Sequence, residues 1–413
     1  MARIFATEDA KRKRGSAQHQ QKSTAVLMKK SPLLSIFLIV FVDVLGLTII
    51  LPLLPFYAES MGATPRIVGL LVSAYAICQL IAGPPLGHLS DRIGRRPVLL
   101  VSQIGTCTGF LILAYAHTLW LVFLARIIDG LTAGNLTVAQ AYIADVSDAE
   151  NRTRSFSIIG IAFGLGFLFG PGISGFLAQF GNTYPILAAA GLSFTSIMCT
   201  YFLLPGVPPH SHPELKEGFS RWSALSDSFK DKGLGPLLWQ FFAFTFAFST
   251  FFSGFALFAE RRFTYNGLPF GTKEVGYVFA FSGLIGVIIQ GGGIGSLVKS
   301  FGESRLVQMG FAAMAGGFVL LAGVHGIPYL LLAIGLLTFG SAILRPSLTA
   351  LITTHAARHR QGMVIGLMQS LMSVAQIVAP VIAGFLIQTQ FLSTWAFAGS
   401  IFCAIGWALI AKL

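Results

Sequence analysis

Long apolar stretches alternate with short polar ones along nearly the whole chain. Runs of about 20 residues with few charges fall at 33–57, 67–87, 97–116, 119–141, 155–178 and 185–204, then at 236–259, 273–294, 305–324, 327–349, 362–387 and 392–411. A helix needs roughly 20 residues to cross the hydrocarbon layer of a bilayer. Within lipid every backbone N–H and C=O must be paired inside its own segment, so runs of this kind are helices. The pattern predicts twelve membrane helices, with a longer polar stretch from Pro205 to Gly235 between the sixth and seventh.

The runs also repeat in order. Gly87-x-Leu89-x-Asp91-x-x-Gly94 follows the second, and Gly295-x-Leu297-x-Lys299-x-x-Gly302 follows the eighth. Pro171-x-x-x-Gly175 in the fifth matches Pro380-x-x-x-Gly384 in the eleventh, and Val68-Gly69 opens the second as Val275-Gly276 opens the eighth. The offsets are 208, 209 and 207 residues. An offset spanning six helices implies two parallel six-helix halves around a central cavity. The expected organisation is a basic tail over 1–32, a first half over 33–204, a cytoplasmic linker over 205–235 and a second half over 236–413.

Composition agrees with a membrane protein: 54% of residues are hydrophobic and only 11% charged, against about a quarter charged in soluble domains. The 46 glycines and 18 prolines suit helices that pack closely in lipid. A net charge of +12 would suggest nucleic acid, but its placement does not. Of the Lys and Arg residues, 22 lie in the tail, the loops on one side and the C-terminus; four lie in the opposite loops, and Arg126 and Arg345 lie inside spans. Basic loops face the cytoplasm, so both termini and the linker are expected there, in a multi-pass protein of the cell membrane. The tail, with the run Lys11-Arg12-Lys13-Arg14, reads as a disordered segment near an anionic leaflet, without a signal cleavage site. Cys78, Cys107, Cys199 and Cys403 fall in apolar spans without metal-ligand spacing and are expected as buried small hydrophobes. No hydrolase elbow, phosphate loop or metal constellation stands in the chain, so no enzyme, cofactor or metal is expected. His355 and His359, four apart, lie among Arg358 and Arg360 and read as a solvated basic patch. The partners expected are the lipid bilayer, a small-molecule substrate and protons, with the protein a monomer.

Ionisable residues inside spans are the candidate working groups, because a charge at mid-membrane is costly. Asp43 lies about ten residues into the first span, ~15 Å deep; either it carries a proton between the two faces or it makes a structural hydrogen bond. Arg126 and Asp129, three apart on the fourth span, share a helical face as an ion pair, whether for packing or in a proton path. Arg345, before Pro346, has three readings: neutralising Asp43, holding an anionic substrate, or snorkelling to the interface. A polar stripe of Gln369, Ser373 and Gln376, with Tyr75 and Gln79 on the second span and Asn135 on the fourth, either lines the cavity or glues helices together. Phe244 and Phe248 in the Phe-rich seventh span are candidate cavity walls. Aromatic faces with a few amides would suit flexible, amphiphilic or cationic compounds.

The loop Gly87-His88-Leu89-Ser90-Asp91-Arg92-Ile93-Gly94-Arg95-Arg96-Pro97 carries the most specific spacing in the chain. Its glycines allow a tight turn and close helix approach, Asp91 can accept from a neighbouring helix end, and Arg92, Arg95 and Arg96 can pair with acids across the two halves. Together these predict a gate; the plainer alternative is a basic loop that only sets topology.

That string resembles the signature inner-loop motif of the major facilitator superfamily, and the resemblance extends from about Leu33 onward. Asp43-Val44-Leu45-Gly46 followed by Pro52-Leu53-Leu54-Pro55 resembles the first-helix motif of drug:proton antiporters. Gly166 with Gly170-Pro171-Gly172-Ile173-Ser174-Gly175 resembles their antiporter motif, with Ser174 where glycine is usual. Ala141-Tyr142-Ile143-Ala144-Asp145 and the stretch from Pro346 to Gln361-Gly362 resemble tetracycline-efflux transporters. The resemblance implies a major facilitator fold, alternating access and proton-coupled efflux of small amphiphilic compounds, with Asp43, Arg126 and Asp129 as coupling residues. The chain departs from the tetracycline exporters in having Gly109 where an acid is usual in the third span, Gly286 where a histidine is usual in the eighth, and no acid in the ninth. The resemblance then implies the efflux mechanism and not the drug identity; a metabolite transporter and a substrate sensor on the same fold are the alternatives.

Overall fold

The computed structural model describes residues 32–146, 152–205, 229–231, 233–356 and 361–409. The basic tail, most of the linker and the Arg358–Arg360 patch lie outside them. The first half comprises α1 (Pro32–Glu59), α2 (Pro65–Ile93), α3 (Arg95–Ala114), α4 (Leu119–Leu131), α5 (Asn135–Val146), α6 (Arg152–Leu177) and α7 (Thr183–Leu203). The second comprises α8 (Leu234–Arg262), α9 (Thr272–Ile288), α10 (Ile294–Phe301), α11 (Glu303–Gly323), α12 (Ile327–His355), α13 (Gln361–Gln388) and α14 (Leu392–Ala408). Among the described residues, 11 helical stretches are long and apolar enough to cross a membrane, and α14 adds a shorter apolar one. The twelve spans stand within a few residues of their expected places, which makes this an all-α integral membrane protein.

Two spans are interrupted where the sequence reads as continuous. The fourth breaks at 132–134: the Thr132 hydroxyl donates back to the Ile128 carbonyl (2.8 Å), and the Gly134 N–H turns to the Thr132 carbonyl (2.7 Å). The eighth passes through a π turn, Ile289–Gly293, rich in glycine, a composition that weakens the regular ladder. A small hairpin, β1 (Thr264–Tyr265) against β2 (Leu268–Pro269), was also not expected. Asn266 and Gly267, both at positive φ, form its turn.

Within the first half α1 packs on α6 and α7, and α3 on α7; within the second α11 packs on α12 and α14, and α8 on α13. Across the halves α6 lies along α9, and α2 along α13. Both crossings are made by the repeated sequence motifs. A Cβ on Gly69 would strike the Pro380 carbonyl, and one on Gly276 would strike the Pro171 carbonyl and Gly175. Gly384 meets Pro65 in the same way, and Ser73 donates to the Ile377 carbonyl at 2.6 Å.

These contacts close one end of the bundle, the end of the 60–64, 178–182 and 263–271 loops. The other end is open. Gly87 lies 18 residues, or five helical turns, beyond Gly69, and Gly366 the same distance before Gly384, so each shares its partner's helix face. Yet a Cβ on Gly87 or Gly366 would meet nothing within 4 Å. The halves therefore diverge from mid-helix toward the basic loops and leave a central cavity.

Candidate functional site

The first half holds a buried polar cluster beside the cavity. Asp43, midway along α1, has Ser196 of α7, Gln103 of α3, Asn135 of α5 and Asp129 of α4 as neighbours. Gln103 donates through Nε2 to Ser196 Oγ at 2.7 Å, and Ser193 donates to the Gln103 carbonyl at 3.3 Å. Three buried acceptor oxygens in this cluster, Asp43 Oδ1, Gln103 Oε1 and Asn135 Oδ1, have no donor. The break before α5 is what aims Asn135 into the cluster. Next to it, Arg126 Nη2 lies 3.0 Å from Asp129 Oδ2 with both side chains buried. The Arg126 guanidinium also faces the rings of Tyr75 (5.7 Å) and Phe110 (5.9 Å). Gly130 makes room for this, since a Cβ there would press on Cys78 and on the Tyr75 carbonyl. The three residues expected to couple protons thus occupy one site.

The departure at Gly109 has a local explanation. A Cβ on Gly109 would lie 3.1 Å from Asp129 Cβ, so the acid missing from α3 is matched by one that α4 directs to the same place.

The cavity candidates divide. Tyr75 and Gln79 are partly exposed and bonded to each other, Gln79 Nε2 donating to the Tyr75 hydroxyl at 3.3 Å. Gln369 is exposed, Gln376 partly so, and Phe248 partly so. Two candidates do not face open space. Phe244 is fully buried in the main core, and Ser373 is buried with its hydroxyl turned back to the Gln369 carbonyl (3.0 Å). Phe244 stands one turn from Phe248 on α8 and is covered by core neighbours, its ring 6.4 Å from that of Phe241, and Ser373 satisfies its own helix, so neither opens to the cavity. Of the cysteines, Cys403 is buried while Cys78, Cys107 and Cys199 are half-buried, and all four are free.

The signature loop is held by charge within one half. Arg95, buried, contacts Asp91 Oδ1 at 2.5 Å and Asp145 Oδ2 at 2.8 Å, and donates to Ser90 Oγ at 2.7 Å. Arg96 donates to the Tyr201 carbonyl and stacks near its ring; Arg92 is exposed. The arginines were expected to pair with acids of the other half. Here the halves are apart at this end, and the acids belong to α2 and α5. Gly94 has a φ of 95° and Gly302, its repeat, 75°, so each loop turns through a conformation open to glycine. Gly87 makes no close approach, for the same reason of separation.

The antiporter-like motif packs two ways. Gly166 and Gly170 seat α6 against Val44 and Thr48 of α1, and the Thr48 hydroxyl donates to the Gly166 carbonyl at 2.9 Å. Pro171 and Gly175 face α9 of the other half. Ser174 is buried, a small residue in a tight seam.

One cross-half ion cluster was missed. At the closed end Arg261 of α8 reaches Glu59 of α1 at 2.6 Å and Glu260 at 2.8 Å. Its signal was available: Arg261 is one of only four basic residues on that side, with an acid at the matching end of the first span.

A family model, the Major Facilitator Superfamily, matches residues 36–295 and 292–413. The chain belongs to the major facilitator superfamily. It is 31% identical to a class E tetracycline resistance protein of Escherichia coli over 84% of this chain and 86% of that one. It is 27% identical to Multidrug resistance protein 2 of Bacillus subtilis (strain 168) over 87% and 90%. Its fold matches the crystal structure of the human organic anion transporter MFSD10 with a TM-score of 0.72 at 23% identity, covering 93% of this chain and 99% of that chain. As a major facilitator, the protein is a membrane transporter.

Proposed function

We propose that this protein is a proton-coupled exporter of small amphiphilic compounds, working by alternating access in the cell membrane with both termini in the cytoplasm. In that orientation the open end faces the cytoplasm, and the structure corresponds to the inward-open state. The observation that supports the coupling is the Asp43 carboxyl, set inside the span among the polar side chains of Ser196, Gln103 and Asn135, beside Asp129 and with one oxygen short of a hydrogen bond. A proton on Asp43 converts one acceptor into a donor and relieves that deficit. Losing the proton leaves a charge inside the bundle beside Asp129, a change large enough to bias the packing of α1 on α6 and α7.

The neighbouring pair sets the alternative: Arg126 is held by Asp129 at 3.0 Å and keeps buried nitrogens without a hydrogen-bond partner, so its charge is available to an ionised carboxylate nearby. The signature loop and the closed-end contacts then act as gates at opposite ends. Export is favoured by the relatives, a tetracycline resistance protein and a multidrug resistance protein. Expression in a drug-sensitive host is expected to lower accumulation of an amphiphilic fluorescent drug, and an uncoupler is expected to abolish the difference. Accumulation that rises on expression, or an uncoupler-insensitive decrease, contradicts the proposal.

A further inference from the structure

We infer that Arg345 and the Phe248 ring form a subsite for the anionic group of an aromatic substrate, such as a carboxylate or enolate. This rests on the export reading above and narrows it to a substrate class.

Arg345 stands well inside α12, its guanidinium 5.1 Å above the centre of the Phe248 ring. The side chain is exposed, and among the described residues no carboxylate lies within 4 Å of it. Asp43 does not serve, since its charged neighbour is Asp129. Snorkelling does not account for Arg345 either, because its exposed face looks into the seam between the halves. Phe248 is followed one turn on by Phe252 (ring centres 4.5 Å apart), and Phe252 meets Phe167 of the other half at 5.4 Å. Arg345 therefore lies over the aromatic wall at the point where the halves begin to part. Ser341 and Thr349 share its helix face at the 3.6-residue period and are both partly exposed. Across the space, Gln369 and Ser370 are exposed on α13. Ser370 shares its face with Ile377 and Gly384, the residues that meet α2.

A guanidinium in a confined cavity without a counter-ion is costly. Its planar fork matches a carboxylate in two parallel hydrogen bonds, and the Phe248 face offers stacking to the ring that bears the anion. A cationic compound at the same place would meet like charge. The cavity's aromatic lining alone suggested cationic compounds, and Arg345 reverses that preference.

The test uses a matched pair of probes, 2-naphthoate and a naphthyl-trimethylammonium ion, binding to the full-length protein in detergent without any gradient. The wild type is expected to bind the carboxylate at least tenfold more tightly. Arg345→Gln is expected to abolish that preference and Arg345→Lys to keep part of it. Phe248→Leu is expected to weaken the carboxylate severalfold without inverting the preference. Equal binding of both probes, tighter binding of the ammonium ion, an unchanged ratio in Arg345→Gln, or no carboxylate binding at millimolar concentration overturns the subsite. Because no pH gradient is present, that failure would leave the proton-coupling reading untouched.

Discussion

In the first half Asp91 at the end of α2 and Arg95 at the start of α3 are joined by Asp145 in a partly buried ion cluster. In the second half, 208 positions on, Lys299 and Glu303 stand at the matching places with the signs exchanged. Among the described residues these two enter no ion pair within 4 Å. The helix dipole explains why they need none. A lysine near the C-terminal end of α10 and a glutamate at the start of α11 are each favourably placed, whereas an aspartate at the end of α2 and an arginine at the start of α3 are each unfavourably placed. The first-half arrangement thus goes against local helix electrostatics and is held only by its own pairing. The membrane interior repeats the contrast: Asp43, Arg126 and Asp129 cluster in the first half, while the second half presents Arg345 alone. Related backbones have been given different chemistry.

The largest expected effect tests the loops. Arg95→Ala would leave Asp91 and Asp145 facing each other without their cation, a loss of about 2–3 kcal/mol, less than for a fully buried pair because Asp91 is partly exposed. Glu303→Ala at the matching position removes only a dipole contact and should cost about 0.5 kcal/mol or less. Thermal unfolding of the two variants in detergent compares them directly; equal shifts would dissolve the asymmetry.

Next come the two helix crossings, where the halves are alike. Gly69→Val and Gly276→Val each push a side chain into a carbonyl of the opposite half. Overpacking of this kind costs about 1–3 kcal/mol, which shifts the population away from the closed end about fivefold to 150-fold. A cysteine at Ser253 should then react faster with a membrane-impermeant maleimide from that side, to a similar degree in both variants. A response from only one crossing would show that the pseudo-symmetry does not extend to gating.

The smallest effect concerns the ionic tie that Arg261 makes between the halves. Arg261 is partly exposed, as is Glu59, so Arg261→Gln should release about 1 kcal/mol or less of closure. The same labelling assay should rise only severalfold, and less at high salt. A rise as large as that from Gly276→Val would make charge, not close packing, the main closure at this end.

Much of this was legible in the chain itself. Hydrophobic run length located the spans because lipid permits few alternatives, and the repeats at 68, 171, 275 and 380 disclosed the two halves. What spacing could not disclose was that these motifs meet each other, Gly69 with Pro380 and Gly276 with Pro171, because such pairing is set by tertiary geometry. The break at 132–134 escaped notice since Thr132 and Gly134 are tolerated within a membrane helix. Arg126 and Asp129 were readable as a pair from their i, i+3 spacing, but Gln103 and Ser196 were not, because they reach Asp43 from α3 and α7. Phe244 shows the converse limit: a face dense in Phe does not say which rings look outward.

The central claim is that Asp43 carries the coupled proton. Its most direct test is proton release in proteoliposomes of the purified protein, with an imposed pH gradient and a lumenal pH dye, after addition of a transported compound. The account predicts a substrate-driven proton flux in the wild type and none in Asp43→Asn, with binding of that compound retained. A flux that persists in Asp43→Asn would contradict it and make Asp43 a structural residue of α1.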